Sequence, residues 1–122
     1  MRLTKEKISD INFLELTPVR NFEHVIEETG LVSVLVPKFS QKVLAKVINP
    51  IIRTPFFKAK LDEIGSETWL EINGEKSVEA ITKQLEIKFG EKINPSVERI
   101  TKFLSNLHNN NFISFKELKK GE

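Results

Sequence analysis

Leu61-Asp62-Glu63-Ile64-Gly65-Ser66-Glu67-Thr68-Trp69-Leu70-Glu71-Ile72-Asn73-Gly74 is the stretch over which the chain changes from strands to helices. Asp62 is a candidate N-cap, because its carboxylate can accept the unpaired amides of a first helical turn while opposing the helix dipole. Ile64, Thr68, Trp69 and Ile72 share one helical face, which makes the only tryptophan a core anchor. Asn73-Gly74 supplies residues that tolerate positive φ where the helix must stop.

Working outward toward the N-terminus, Thr54-Pro55 opens a predicted strand over Phe56 to Leu61. Its alternation turns Phe57, Ala59 and Leu61 to one face and Phe56, Lys58 and Lys60 to the other, and one of the two faces is core. Earlier still, Phe22 to Glu28 and Leu31 to Val36 flank Thr29-Gly30 as the arms of a hairpin, with Pro37 ending the second arm. Toward the C-terminus, Ser77 caps a second helix with Val78, Ile81, Leu85 and Phe89 on its buried face and Gly90 as its stop. Asn94-Pro95 opens a third, with proline at the first helical position and Val97, Ile100, Phe103, Leu104 and Leu107 on the apolar face. Asn109-Asn110-Asn111 then turns the chain into a short strand, Phe112 to Phe115. N-terminal strands, three helices and a short terminal strand predict an α+β, winged helix-turn-helix-like fold.

The expected organisation is a partly ordered arm over 1–17, one domain over 18–116 and a frayed tail over 117–122. Within the domain, 38–55 reads as a crossover insertion. There Ser40 could cap a helix carrying Val43, Leu44, Val47 and Ile48 opposite Lys42 and Lys46, until Pro50 interrupts it. Such a helix serves either as a cover for the domain's own sheet or as a docking element.

The chain has 122 residues, enough for one core without disulfides or metal. It is 39% hydrophobic and 30% charged, which excludes general disorder. With no cysteine there is no disulfide, thiolate metal site or cysteine nucleophile, and the composition suits a reducing cytoplasm. No apolar run reaches the roughly 20 residues of a membrane span. The formal net charge of +2 hides an asymmetry. Between Thr29 and Leu61 no acid occurs, while Lys38, Lys42, Lys46, Arg53, Lys58 and Lys60 form a basic block that would attract an acidic partner.

Nothing assembles a catalytic constellation. His24 and His108 have no carboxylate or histidine at metal-ligand spacing, and the glycines are isolated rather than gathered into a phosphate loop. Glu67, Glu71, Glu75 and Glu79 recur as a solvated helical face. The protein is therefore expected to be no enzyme, with no cofactor and no metal.

The pattern Leu61, Asp62, Gly65, Trp69, Asn73-Gly74, then Val78, Ile81, Leu85, and later Val97, Phe103-Leu104, Leu107 and Ile113 resembles the PqqD-like family. These are small peptide-binding domains, also called RiPP recognition elements, that act on ribosomally made, post-translationally modified peptides. The resemblance spans roughly residues 18 to 116 and is carried mainly by 56 to 115. It implies that the leader of a precursor peptide adds antiparallel to the strand at Phe56 to Leu61, in a groove whose other wall is the third helix. On this chain the strand residues would be Phe57, Lys58, Ala59 and Lys60, and the helical wall Arg99, Lys102, Phe103 and Asn106. It further implies a modifying enzyme, of the radical S-adenosylmethionine class, as the second partner. The chemistry agrees, since a strand edge accepts an extended peptide through its backbone and the lysines suit an acidic one. Phe103 equally reads as core, and the lysines equally read as guards against edge aggregation. The competing reading is a winged-helix DNA-binding protein. Against it, Glu98 stands at the start of the third helix, where phosphate would approach, and the basic residues lie mostly on strand and crossover, where they touch phosphates but read no bases.

Overall fold

The computed structural model describes residues 12–38 and 56–118. The crossover insertion falls almost wholly outside the described residues, as does most of the N-terminal arm. The architecture is α+β, in the expected order of strands, helices and a terminal strand. After a 3₁₀ turn at Phe13–Glu15 come β1 (Pro18–Arg20), β2 (His24–Ile26), β3 (Val32–Pro37) and β4 (Phe56–Lys60). Helices α1 (Glu63–Glu71), α2 (Val78–Phe89) and α3 (Ser96–Asn109) follow, then β5 (Ile113–Phe115) and a last 3₁₀ turn at Lys116–Leu118.

The strands form two sheets, β1-β5 and β2-β3-β4, all pairs antiparallel. The predicted hairpin is β2 and β3, with Gly30 at φ +89° between them. β1 has no counterpart in the sequence reading: only three residues long, it is stabilised by pairing Val19 with Ser114 across the whole chain. The register Pro37↔Phe56 brings the two ends of the insertion together, so β3 and β4 pair as if a tight turn joined them.

The first two helices begin where their caps predict. Asp62 accepts the Gly65 amide at 2.7 Å, and Ser77 accepts the Ala80 amide at 3.1 Å. Gly74, at φ +81°, and Gly90, at φ +60°, stand just past the ends of α1 and α2. The third helix is a correction. Pro95 occupies the cap position of α3 rather than its first turn, through a cis bond to Asn94, and the helix proper starts at Ser96.

Trp69, fully buried, is the hub of the core, with Ile72, Val78, Ile81, Leu85, Ile100, Leu104 and Phe115 packed around it in one cluster. Phe112 and His24 meet its ring edge-on, and the Arg20 guanidinium lies 6.0 Å from the ring centre. Val97 is another correction, 45% exposed, because the buried stripe of α3 runs through Ser96, Ile100, Leu104 and Leu107 and Val97 lies one position off it. Glutamates read as a solvated face are paired: Glu67 meets Lys88 at 3.3 Å, Glu79 meets Lys83 at 3.8 Å, and Glu71 bonds Lys76. Order also extends beyond both ends of the expected domain. Leu16 is buried in the core, and Glu117 accepts from the Thr17 amide and hydroxyl, both at 2.8 Å. No helix among the described residues is long and apolar enough to cross a membrane.

Candidate functional site

The β3–β4 ladder determines which backbone groups of β4 remain open. The Leu61 amide donates to the Val32 carbonyl at 2.9 Å, extending the register in which Ala59 faces Val34 and Phe57 faces Val36. In an antiparallel pair the hydrogen-bonded positions alternate, so Phe57, Ala59 and Leu61 spend their backbone groups on β3. The amides and carbonyls of Phe56, Lys58 and Lys60 therefore point the other way. Among the described residues β4 is the edge of its sheet, and nothing pairs with that side. It is a template for one further strand.

Beside the end of this edge lies a cleft of about 390 Å³. Lys60, Leu61 and Asp62 form one lip, Ile64, Gly65 and Thr68 of α1 the floor, and Arg99, Ile100 and Phe103 of α3 the far wall. The floor exists because residue 65 has no side chain: a Cβ there would sit 3.0 Å from Asp62 Oδ1 and 3.3 Å from the Phe103 ring. Gly65 thus lets Phe103 close on the first turn of α1. The electrostatics are positive. Arg99 donates to the Lys92 carbonyl at 2.8 Å and makes no ion pair among the described residues, nor does Lys60, while Asp62, the only acid on the cleft, is engaged in its cap.

The eight residues named from sequence divide. Lys60, Arg99 and Phe103 meet on the cleft. Lys102 and Asn106 are exposed on α3 but lie outside the cleft lining. Ala59 is half-buried and paired with Val34. Phe57, on the face it shares with Ala59 and Leu61, is 53% exposed: its partner Val36 is only half-buried, whereas Val34 beside Ala59 is fully buried, so burial along that face falls off before Phe57. Lys58 is a correction. No acid in its own strand neutralises it, but the hairpin brings Glu27 to 3.2 Å. The Glu27 carboxyl lies below its usual range, held first by the Ser33 hydroxyl, whose contact falls short of a full hydrogen bond, and then by Lys58. The sequence reading missed Ile64, Gly65, Thr68 and Ile100 as cleft residues, assigning them to the fold alone. The available signal was a glycine in the first turn of a helix, where only a close approach justifies its cost.

The arrangement can hold an extended chain by its backbone and seat one apolar side chain between cations. Among the described residues no cluster of His, Asp or Glu could hold a metal ion. No curated protein and no solved structure matches the chain. Residues 58–113, from the middle of β4 to the start of β5, match the family model described as coenzyme PQQ synthesis protein D.

Proposed function

We propose that this chain, PqqD-like over residues 58–113, is a non-catalytic carrier that binds the leader segment of a ribosomally made precursor peptide and presents it to a modifying enzyme. The observation that carries the reading is the edge of β4 at Lys58 and Lys60, unpaired among the described residues and set beside the Lys60–Arg99–Phe103 cleft. A leader strand pairs there through its backbone, an apolar side chain enters over Gly65 and Phe103, and acidic residues lie near Lys60 and Arg99. Lys58 pairs with the leader alongside Lys60, Phe57 and Ala59 hold β4 on β3, and Lys102 and Asn106 extend the helical wall. The enzyme partner is of the radical S-adenosylmethionine class, as the family resemblance implies. Capture of the leader raises the effective concentration of the core peptide at that enzyme, typically to the millimolar range for a short flexible connection.

The test is an amide NMR titration with peptides encoded beside the gene, and with a random DNA duplex as control. Shifts concentrated on 56–61 and 97–107 with peptide alone are expected. Two variants then isolate the edge. Lys60→Gln removes the charge but keeps the outward amide, whereas Lys60→Pro also removes that amide without breaking a β3–β4 bond. Losing one backbone hydrogen bond weakens binding roughly two- to tenfold. Equal peptide affinity of the two variants, or salt-sensitive shifts with duplex and none with peptide, overturns the reading.

A further inference from the structure

On the side of α3 away from the peptide cleft lies a second, separate cavity of about 210 Å³. Its walls are apolar and come from the two ends of the described chain: Phe13 and Leu16 from one, Phe115 and Leu118 from the other. Phe13 and Phe115 meet edge-to-face, with ring centres 5.3 Å apart. Its rim is polar and comes from one helix face, where Ser105, His108 and Asn109 recur at helical spacing. The side chains of these three make no hydrogen bond among the described residues, although Ser105 and His108 are half-buried. The His108 ring rests on Phe115 at 5.0 Å, and burial lowers its pKa, so near neutrality it presents one donor and one acceptor nitrogen, both unused.

We propose that this cavity binds a small neutral aromatic ring bearing one hydroxyl or N–H group. The volume sets the size, because a dry apolar cavity of about 150 Å³ already accepts benzene, and the additional space accommodates one substituent. The apolar walls take the ring, and the aromatic pair Phe13 and Phe115 favours edge or offset contact with a third ring. The unused polar atoms of His108 and Ser105 take the substituent. A charged ligand is disfavoured, since the cavity lining contains no acid, lysine or arginine to compensate it.

The test uses phenol and benzene as probes, read by the ring signals of His108 and Phe115 in the isotope-labelled full chain, with His24 as internal reference. The expected result is a saturable shift of His108 and Phe115 with phenol while His24 stays fixed, and two- to tenfold weaker binding of benzene. Ser105→Phe, which fills the cavity, should abolish the shift. His108→Leu, read at Phe115, should reduce phenol to the affinity of benzene. Absence of a saturable shift, an undiminished response in folded Ser105→Phe, or an unchanged phenol preference in His108→Leu overturns the proposal. If Ser105→Phe fails to fold, as judged by the fluorescence of buried Trp69, the His108→Leu comparison decides alone.

Discussion

Replacing Ser66 by alanine should destabilise the domain more than an ordinary surface-facing helix substitution, because its hydroxyl completes the β3–β4 ladder. In a regular antiparallel pair, Val32 and Leu61 would exchange two hydrogen bonds. One is made, from the Leu61 amide to the Val32 carbonyl at 2.9 Å. In place of the other, the Val32 amide donates to Ser66 Oγ at 2.8 Å, and that hydroxyl donates onward to the Leu61 carbonyl at 3.4 Å. Val32 is completely buried and Ser66 is 2% exposed, so no water replaces the lost partner. Stranding a buried amide costs about 1–3 kcal/mol. Alanine returns about 0.5 kcal/mol through its better helix propensity. The net loss is therefore roughly 0.5–2.5 kcal/mol, and for a domain of this size each kcal/mol lowers Tm by about 4–8 °C. Urea unfolding measures the loss as a lower midpoint at unchanged m-value, and native-state hydrogen exchange should show faster exchange at the Val32 amide. A loss below about 0.3 kcal/mol, or unchanged protection of Val32, refutes the assignment of the missing rung to Ser66.

Other perturbations probe the same junction and its surroundings. Gly65→Ala should shift the Phe103 ring signals, because the new Cβ meets Asp62 Oδ1 and Phe103 at close range, and that crowding should cancel the roughly 1 kcal/mol alanine otherwise gains over glycine in a helix; a variant stabilised by that full amount in urea unfolding would contradict the close approach. Asp62→Ala removes the cap on Gly65 and should cost about 1 kcal/mol, with faster amide exchange confined to the first turn of α1. The pH dependence follows from two histidines. Burial, joined by Arg20 for His24, lowers the pKa of both His24 and His108. Both are neutral in either state above the unfolded value of 6.5, and below it the unfolded chain takes up protons first. Stability should therefore fall as pH drops through 6.5 and level off once the folded histidines protonate. His108→Gln should flatten part of that slope, and an identical slope would exclude His108 as a source. The Glu117 carboxyl, which burial pushes up but the Thr17 bonds hold below its usual range, adds a separate loss at more acid pH that Thr17→Val, which keeps the amide bond, should reduce without abolishing.

Local chemistry was legible in the residues themselves. The caps at Asp62 and Ser77, the stops at Gly74 and Gly90, the hairpin around Gly30 and the core role of Trp69 depend on interactions within a few residues or on one apolar face. Spacing along the chain reports both directly. From these followed the α+β class and the PqqD-like resemblance. The cleft lies between the end of the Phe56–Leu61 strand and the third helix, the two walls that the family resemblance implied.

What the sequence could not carry were pairings between distant residues. β1 exists because β5 lies beside it, and no local preference marks Pro18-Val19-Arg20 as a strand. Glu27 neutralises Lys58 because the hairpin folds it across two strands, whereas in sequence the basic block looked free of acids. Alternation showed that Phe57 and Ala59 share a face, but not that burial along that face falls off before Phe57. Likewise, alternation does not reveal which β4 amides face outward. That depends on register, and only the pairing of β4 with β3 leaves Lys58 and Lys60 with open backbone groups while Phe57 and Ala59 spend theirs. The sequence by itself determined the three helices, the hairpin and most of their buried positions, because periodicity and capping are local. Tertiary structure alone decided the open edge, the cleft above Gly65 and the cavity behind α3, because each is a space between segments that meet only after folding.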